Sequence, residues 1–130
     1  MVDVNSPEQA VRLMDEAFNR GDVEAVLGFY EDGAAVVTEP GKLARGQSEL
    51  RAFLQSIMRP EISARQIKTY TIEADGVALF LSRWILITKN SEGESVESQH
   101  TATTVFRKNN DGTWKALIDN SFGPAVLGPQ

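Results

Sequence analysis

The stretch from His100 to Ser121 constrains the fold more than any other part of the chain. His100–Arg107 and Thr113–Ser121 are rich in β-branched and aromatic residues. Between them, Lys108-Asn109-Asn110-Asp111-Gly112 supplies residue types that accept left-handed backbone in a tight loop. This pattern reads as two strands joined by a polar loop. The second strand closes on Ile118-Asp119-Asn120, and Phe122-Gly123-Pro124 stops it. A carboxylate and an amide thus end an otherwise apolar strand, and a pocket is expected at that end.

Upstream of Ile62 the periodicity is mostly helical. Ser6-Pro7-Glu8-Gln9 is a helix start: Ser6 can cap, Pro7 suits the first helical position and Gln9 completes a capping box. Ala10, Leu13, Met14, Ala17 and Phe18 then share one face. Gly21 ends that helix and Asp22 can cap a second, whose apolar stripe is Val23, Val26, Leu27 and Tyr30. Ala34–Thr38 reads as a short strand broken by Glu39-Pro40-Gly41. Gly46-Gln47-Ser48 leads into a third helix with Leu50, Phe53, Leu54, Ile57 and Met58 on one face, and Arg59-Pro60 stops it.

From Ile62 the pattern turns to strands. Ile62–Ile72 alternates weakly, Asp75-Gly76 marks a turn, and Val77–Lys89 is a nearly continuous apolar run. Asn90–Gly93 turns the chain into Glu94–Arg107. Helices first and strands later indicate an α+β fold: a curved antiparallel sheet wrapped on three N-terminal helices. Such a cone has an apolar interior and an open mouth, a natural ligand site. Residues 1–130 are expected to form one domain.

Charge and composition narrow the function classes. A net charge of −5 argues against nucleic acid, which needs clustered Lys and Arg. With no cysteine there is neither a disulfide framework nor a thiolate ligand or nucleophile. Met1–Ser6 lacks the basic and apolar regions of a signal peptide, and no apolar run is long enough to span a membrane. A cytoplasmic location without membrane contact is expected. There is no nucleophile elbow, phosphate-binding loop or dinucleotide fingerprint.

The run Phe18-Asn19-Arg20-Gly21-Asp22 through Tyr30-Glu31-Asp32-Gly33 resembles the opening of the ketosteroid-isomerase-like and SnoaL-like proteins of the nuclear transport factor two superfamily. Glu39-Pro40-Gly41, Arg45-Gly46 before a helix, and Asp111–Lys115 followed by Ile118-Asp119-Asn120 carry the same resemblance, over roughly residues 7–123. It implies a cone-shaped α+β barrel with a central pocket, often dimeric, and no single reaction. Ketosteroid isomerases use a carboxylate base and a Tyr–Asp donor pair. By the resemblance, the tyrosine position falls on Met14 and the donor aspartate near Thr104, while the base falls on Glu39. An enolate without that pair loses the largest electrostatic contribution, so steroid isomerisation is not the leading expectation.

Several polar residues are candidates for chemistry. Glu39, if it points into the cone, is a base whose pKa burial would raise; otherwise it is a solvated turn residue. Asp119 and Asn120 are strand neighbours, so only one can face inward. Asn120 shares parity with the bulky Trp114, Ala116 and Ile118, which favours Asn120 inside, orienting a ligand, and Asp119 on the outer face or at a dimer contact. Asp119 remains a second candidate base. His100, the only histidine, is a proton shuttle or a surface residue. Tyr30, Trp84 and Thr104 complete the ligand-binding set, with core packing or the dimer contact as the rival account for the aromatics.

Two functions fit. One is proton transfer on a small apolar carbonyl compound (isomerisation, cyclisation or dehydration) without metal or organic cofactor. The other is a non-catalytic ligand-binding or protein-interaction module. A homodimer is expected from the resemblance and from the apolar residues of Val77–Ile87, too many for a half-solvated strand.

Overall fold

The computed structural model describes residues 4–128, so Met1–Asp3 of the segment read above for a leader lie outside the described residues. Helix α1 spans Pro7–Asn19 and α2 spans Val23–Leu27. Strands β1, Tyr30–Glu39, and β2, Lys42–Arg45, precede helix α3, Gly46–Ile57. Strands β3, Ser63–Ala74, β4, Val77–Lys89, β5, Ser95–Lys108, and β6, Trp114–Asn120, follow, and a 3-10 turn at Gly123–Leu127 closes the chain.

The caps form where the residue types predict them. The Ser6 hydroxyl accepts from the Gln9 amide, and the Gln9 side chain accepts from the Asn5 amide, one residue earlier than a standard capping box. Asp22 caps α2 through the Ala25 amide. Asp75 and Gly76 both have positive φ, the requirement of a two-residue hairpin loop, and join β3 to β4. Tyr30, expected at the end of the second helix, opens β1 instead, because α2 stops at Leu27.

One mixed sheet runs β2-β1-β6-β5-β4-β3. Four pairings are antiparallel, and β1 runs parallel to β6. The sheet is curved and unclosed, and its concave side faces the three helices, as an α+β cone requires. Phe80 and Phe106 meet edge to face at 5.9 Å beneath α1 and α3, within a core that includes Ala10, Ala17, Leu50 and Trp114. Asn19, the last residue of α1, exchanges two hydrogen bonds with the Ala64 backbone and pins the helix to the start of β3.

Three strands carry an extra residue. On β1 it is Thr38, on β3 Ile67 and on β6 Leu117. Each such bulge shifts the inward–outward alternation by one residue.

Candidate functional site

The bulge at Leu117 decides which end residue of β6 faces inward. Trp114 and Ala116 are buried, Ile118 is exposed, and Asp119 lies opposite Thr104 on the concave face. The parity argument therefore fails at Leu117, and Asp119 rather than Asn120 faces the interior. Asn120 holds the following turn: its amide donates to the Gly123 carbonyl and its oxygen accepts from the Phe122 amide.

A cavity of about 370 Å³ lies between the helices and the concave face. Its wall is mostly apolar, including Val11, Met14 and Phe18 of α1, Phe53 and Ile57 of α3, and Phe80, Trp84 and Leu86 of β4. Asp119 stands in this lining. It accepts from the Tyr30 hydroxyl at 2.5 Å and from the Thr104 hydroxyl at 3.0 Å. Burial pushes the Asp119 carboxyl above its ordinary value, while hydrogen bonds from Tyr30, Thr104 and Ser121 oppose the rise. Burial and the Asp119 charge raise the Tyr30 phenol, which therefore remains a donor at neutral pH.

A second carboxyl shares the cavity. Asp15 of α1 lines it, and its Oδ2 accepts from Gln66 Nε2 at 2.9 Å. Burial pushes Asp15 up to about 6; the Gln66 bond opposes this, and the Asp119 charge adds to it. Sequence reasoning missed Asp15. Its signal was present: Val11, Met14, Asp15 and Phe18 form an i, i+3, i+4, i+7 face on which Asp15 is the sole charge.

Glu39 is not brought to the cavity. It lies beyond the Thr38 bulge, pairs with Lys42 at 3.1 Å, and its side chain is 58% exposed. Thr38 takes the place in the lining. Tyr30, Trp84 and Thr104 do line the cavity. The Trp84 indole donates to the Ser121 carbonyl at 2.9 Å. His100 stacks on Trp84 at 4.8 Å, meets Phe122 edge-on at 6.0 Å and hydrogen-bonds Ser98 through Nε2. It flanks two lining aromatics on the same face of the sheet and is not itself part of the lining. Among the described residues, no cluster of three or more His, Asp or Glu is placed to hold a metal ion, and no helix is long and apolar enough to cross a membrane.

Comparison with known proteins agrees with this fold. A family model described as a SnoaL-like domain matches residues 10–117. A ketosteroid isomerase-like protein from Erwinia carotovora atroseptica SCRI1043 is 24% identical, with a TM-score of 0.68 over 86% of this chain and 88% of that one. An NTF2-like protein with a cystatin-like fold from Novosphingobium aromaticivorans has a TM-score of 0.75 at 13% identity, covering 93% of this chain and 86% of that one. The association domain of C. elegans CaMKII aligns with a TM-score of 0.72 at 16% identity, over 86% and 88% of the two chains. At these identities the likenesses establish the fold alone. No curated protein matches the chain.

Proposed function

The chain belongs to the SnoaL-like domain family, and from the site it encloses we propose that it binds a small, largely apolar carbonyl compound and moves a proton on it. The observation that carries this reading is Asp119: a half-buried carboxylate in an apolar lining, aimed by two hydroxyl donors. Its raised pKa makes it a stronger base than a solvated aspartate. In this scheme Asp119 takes a proton from the carbon next to the carbonyl. Asp15, poised near neutrality, returns one elsewhere on the molecule. In isomerisation the second proton goes to another carbon. In dehydration it goes to a hydroxyl, which leaves as water as the C–O bond breaks. In cyclisation the enolate carbon bonds to a second carbonyl carbon, whose oxygen takes the proton. Trp84 and Phe122 shape the lining against which the ligand lies.

The test is solvent deuterium exchange into a panel of small cyclic ketones. Wild-type protein is expected to accelerate exchange, and Asp119→Asn to lower the rate by about a hundredfold or more while retaining ligand affinity. Glu39→Gln is expected to change neither. Exchange indifferent to Asp119→Asn removes the catalytic reading.

A second reading rests on a different surface. On the convex face, Ile72, Leu79, Val105 and Ile118 are cross-strand neighbours in one row over β3, β4, β5 and β6. Ile72, Leu79 and Ile118 are each at least 40% exposed, and Tyr70 and Val77 lie close by. A continuous apolar row of this kind suits a homodimer formed sheet to sheet.

A further inference from the structure

The helix-side end of the cavity is short of hydrogen-bond donors. Gln66 spends its amide group on Asp15, and that bond fixes which way the side-chain amide points, since a carboxylate accepts and does not donate. The other Gln66 atom, Oε1, is buried and has no partner among the described residues. A buried carbonyl without a donor is costly, and the great majority of such atoms in folded proteins are satisfied. The residue is aimed there by the fold: Gln66 pairs with Trp84 on the concave face, directly before the Ile67 bulge.

Charge sharpens the picture. Among the described residues, the ionisable side chains in the lining are Asp15, Tyr30 and Asp119, and no Lys, Arg or His joins them. Arg12 and Arg65, with Glu8 and Glu16, line an adjoining groove between α1 and β3, which shares Asp15 and Gln66 with the cavity. An anionic ligand would therefore meet two carboxyls and no counter-charge in the cavity. A group that donates hydrogen bonds would meet a carboxylate and an orphan carbonyl side by side.

We propose that Asp15 and Gln66 form a subsite for a hydrogen-bond-donating head group without negative charge, a hydroxyl or a protonated amine, on an otherwise apolar ligand. This rests on the reading of the cavity as a small-molecule site and is independent of whether a proton is transferred there. The subsite selects against carboxylates, phosphates and sulfates and sets which way round the ligand lies. Its apolar body lies along Phe53, Trp84 and Phe122, and its donor end reaches α1.

The experiment is a binding series on one skeleton, by calorimetry or ligand-observed NMR: ethylbenzene, phenylethanol, phenylethylamine and phenylacetate. Phenylethanol and phenylethylamine are expected to bind about tenfold more tightly than ethylbenzene, and phenylacetate more weakly than either. Gln66→Leu is expected to erase the advantage of the alcohol. Asp15→Asn is expected to erase the advantage of the amine and spare that of the alcohol. Equal binding of ethylbenzene and phenylethanol overturns the subsite and leaves the cavity reading standing, as does preferred binding of phenylacetate. Failure of all four to bind overturns both. The wild-type series decides the matter by itself if Gln66→Leu does not fold.

Discussion

Asp15 is the residue whose charge costs the fold most plainly. Its pKa rises from 3.8 to about 6 on burial, so the folded chain holds that proton more tightly than the unfolded one. The linkage has a definite sign. Stability is not taxed below the unfolded value, falls as pH climbs from about 4 to about 6, and is then flat. The ionised carboxyl costs about 3 kcal/mol at neutral pH and above. Asp15→Asn is thus expected to stabilise the protein by up to about 3 kcal/mol near pH 8 and by about half of that near pH 5. Urea unfolding at the two pH values measures this, and an equal gain at both refutes it. The residue scale was also the least legible in the sequence. Tyr30 was found as the polar end of the second helix stripe, Trp84 as an aromatic interrupting a strand, and Thr104 through the family resemblance. Asp15 was passed over because helix periodicity was read for what is apolar rather than for the exception. Glu39 was chosen by family resemblance, and one extra residue at Thr38 separates it from the cavity.

At the scale of elements, the sequence was far more informative. Helix caps, the Asp75-Gly76 hairpin and the long strands follow from local chemistry, and those elements form close to where the residue pattern puts them. The parallel pairing of β1 with β6 did not show, because strand partnership depends on the path of the chain and not on local composition. Nor did the bulges, which leave no composition signal in Thr38, Ile67 or Leu117. One tight contact fixes the C-terminal turn beside the cavity. Gly123 has φ +52, and a Cβ there would stand 2.5 Å from the Thr101 carbonyl oxygen. Gly123→Ala must move the turn that carries Phe122, and is expected to cost about 2 kcal/mol or more. Thermal unfolding reads that loss, and an unchanged melting temperature would show that the turn yields freely.

For the molecule as a whole, the two faces of the sheet carry different proposals. The concave face encloses the cavity, and the convex face carries the row Ile72, Leu79, Val105 and Ile118. If that row is a homodimer contact, sedimentation velocity at micromolar concentration should give a dimer. Leu79→Lys with Ile118→Lys should then give a folded monomer that retains its cavity ligand. A wild-type monomer under the same conditions ends the dimer reading. The apolar character of β4 on both faces was visible in the sequence as the run Val77–Ile87, interrupted only by Ser82-Arg83, but which side meets helices and which stands open depends on the tertiary path.

The bulge at Leu117 has a consequence for how such a chain can change. The buried Trp114 and Ala116 lie on one side of it and Asp119 on the other, so the two parts of β6 keep separate count of which way a side chain points. Loss of the Leu117 codon would remove only the extra residue: Ala116 would still pair with Phe106 and Asp119 would still face Thr104. A lineage built on this sheet can therefore lose a residue at that point without moving the carboxylate from the cavity or composing a new core.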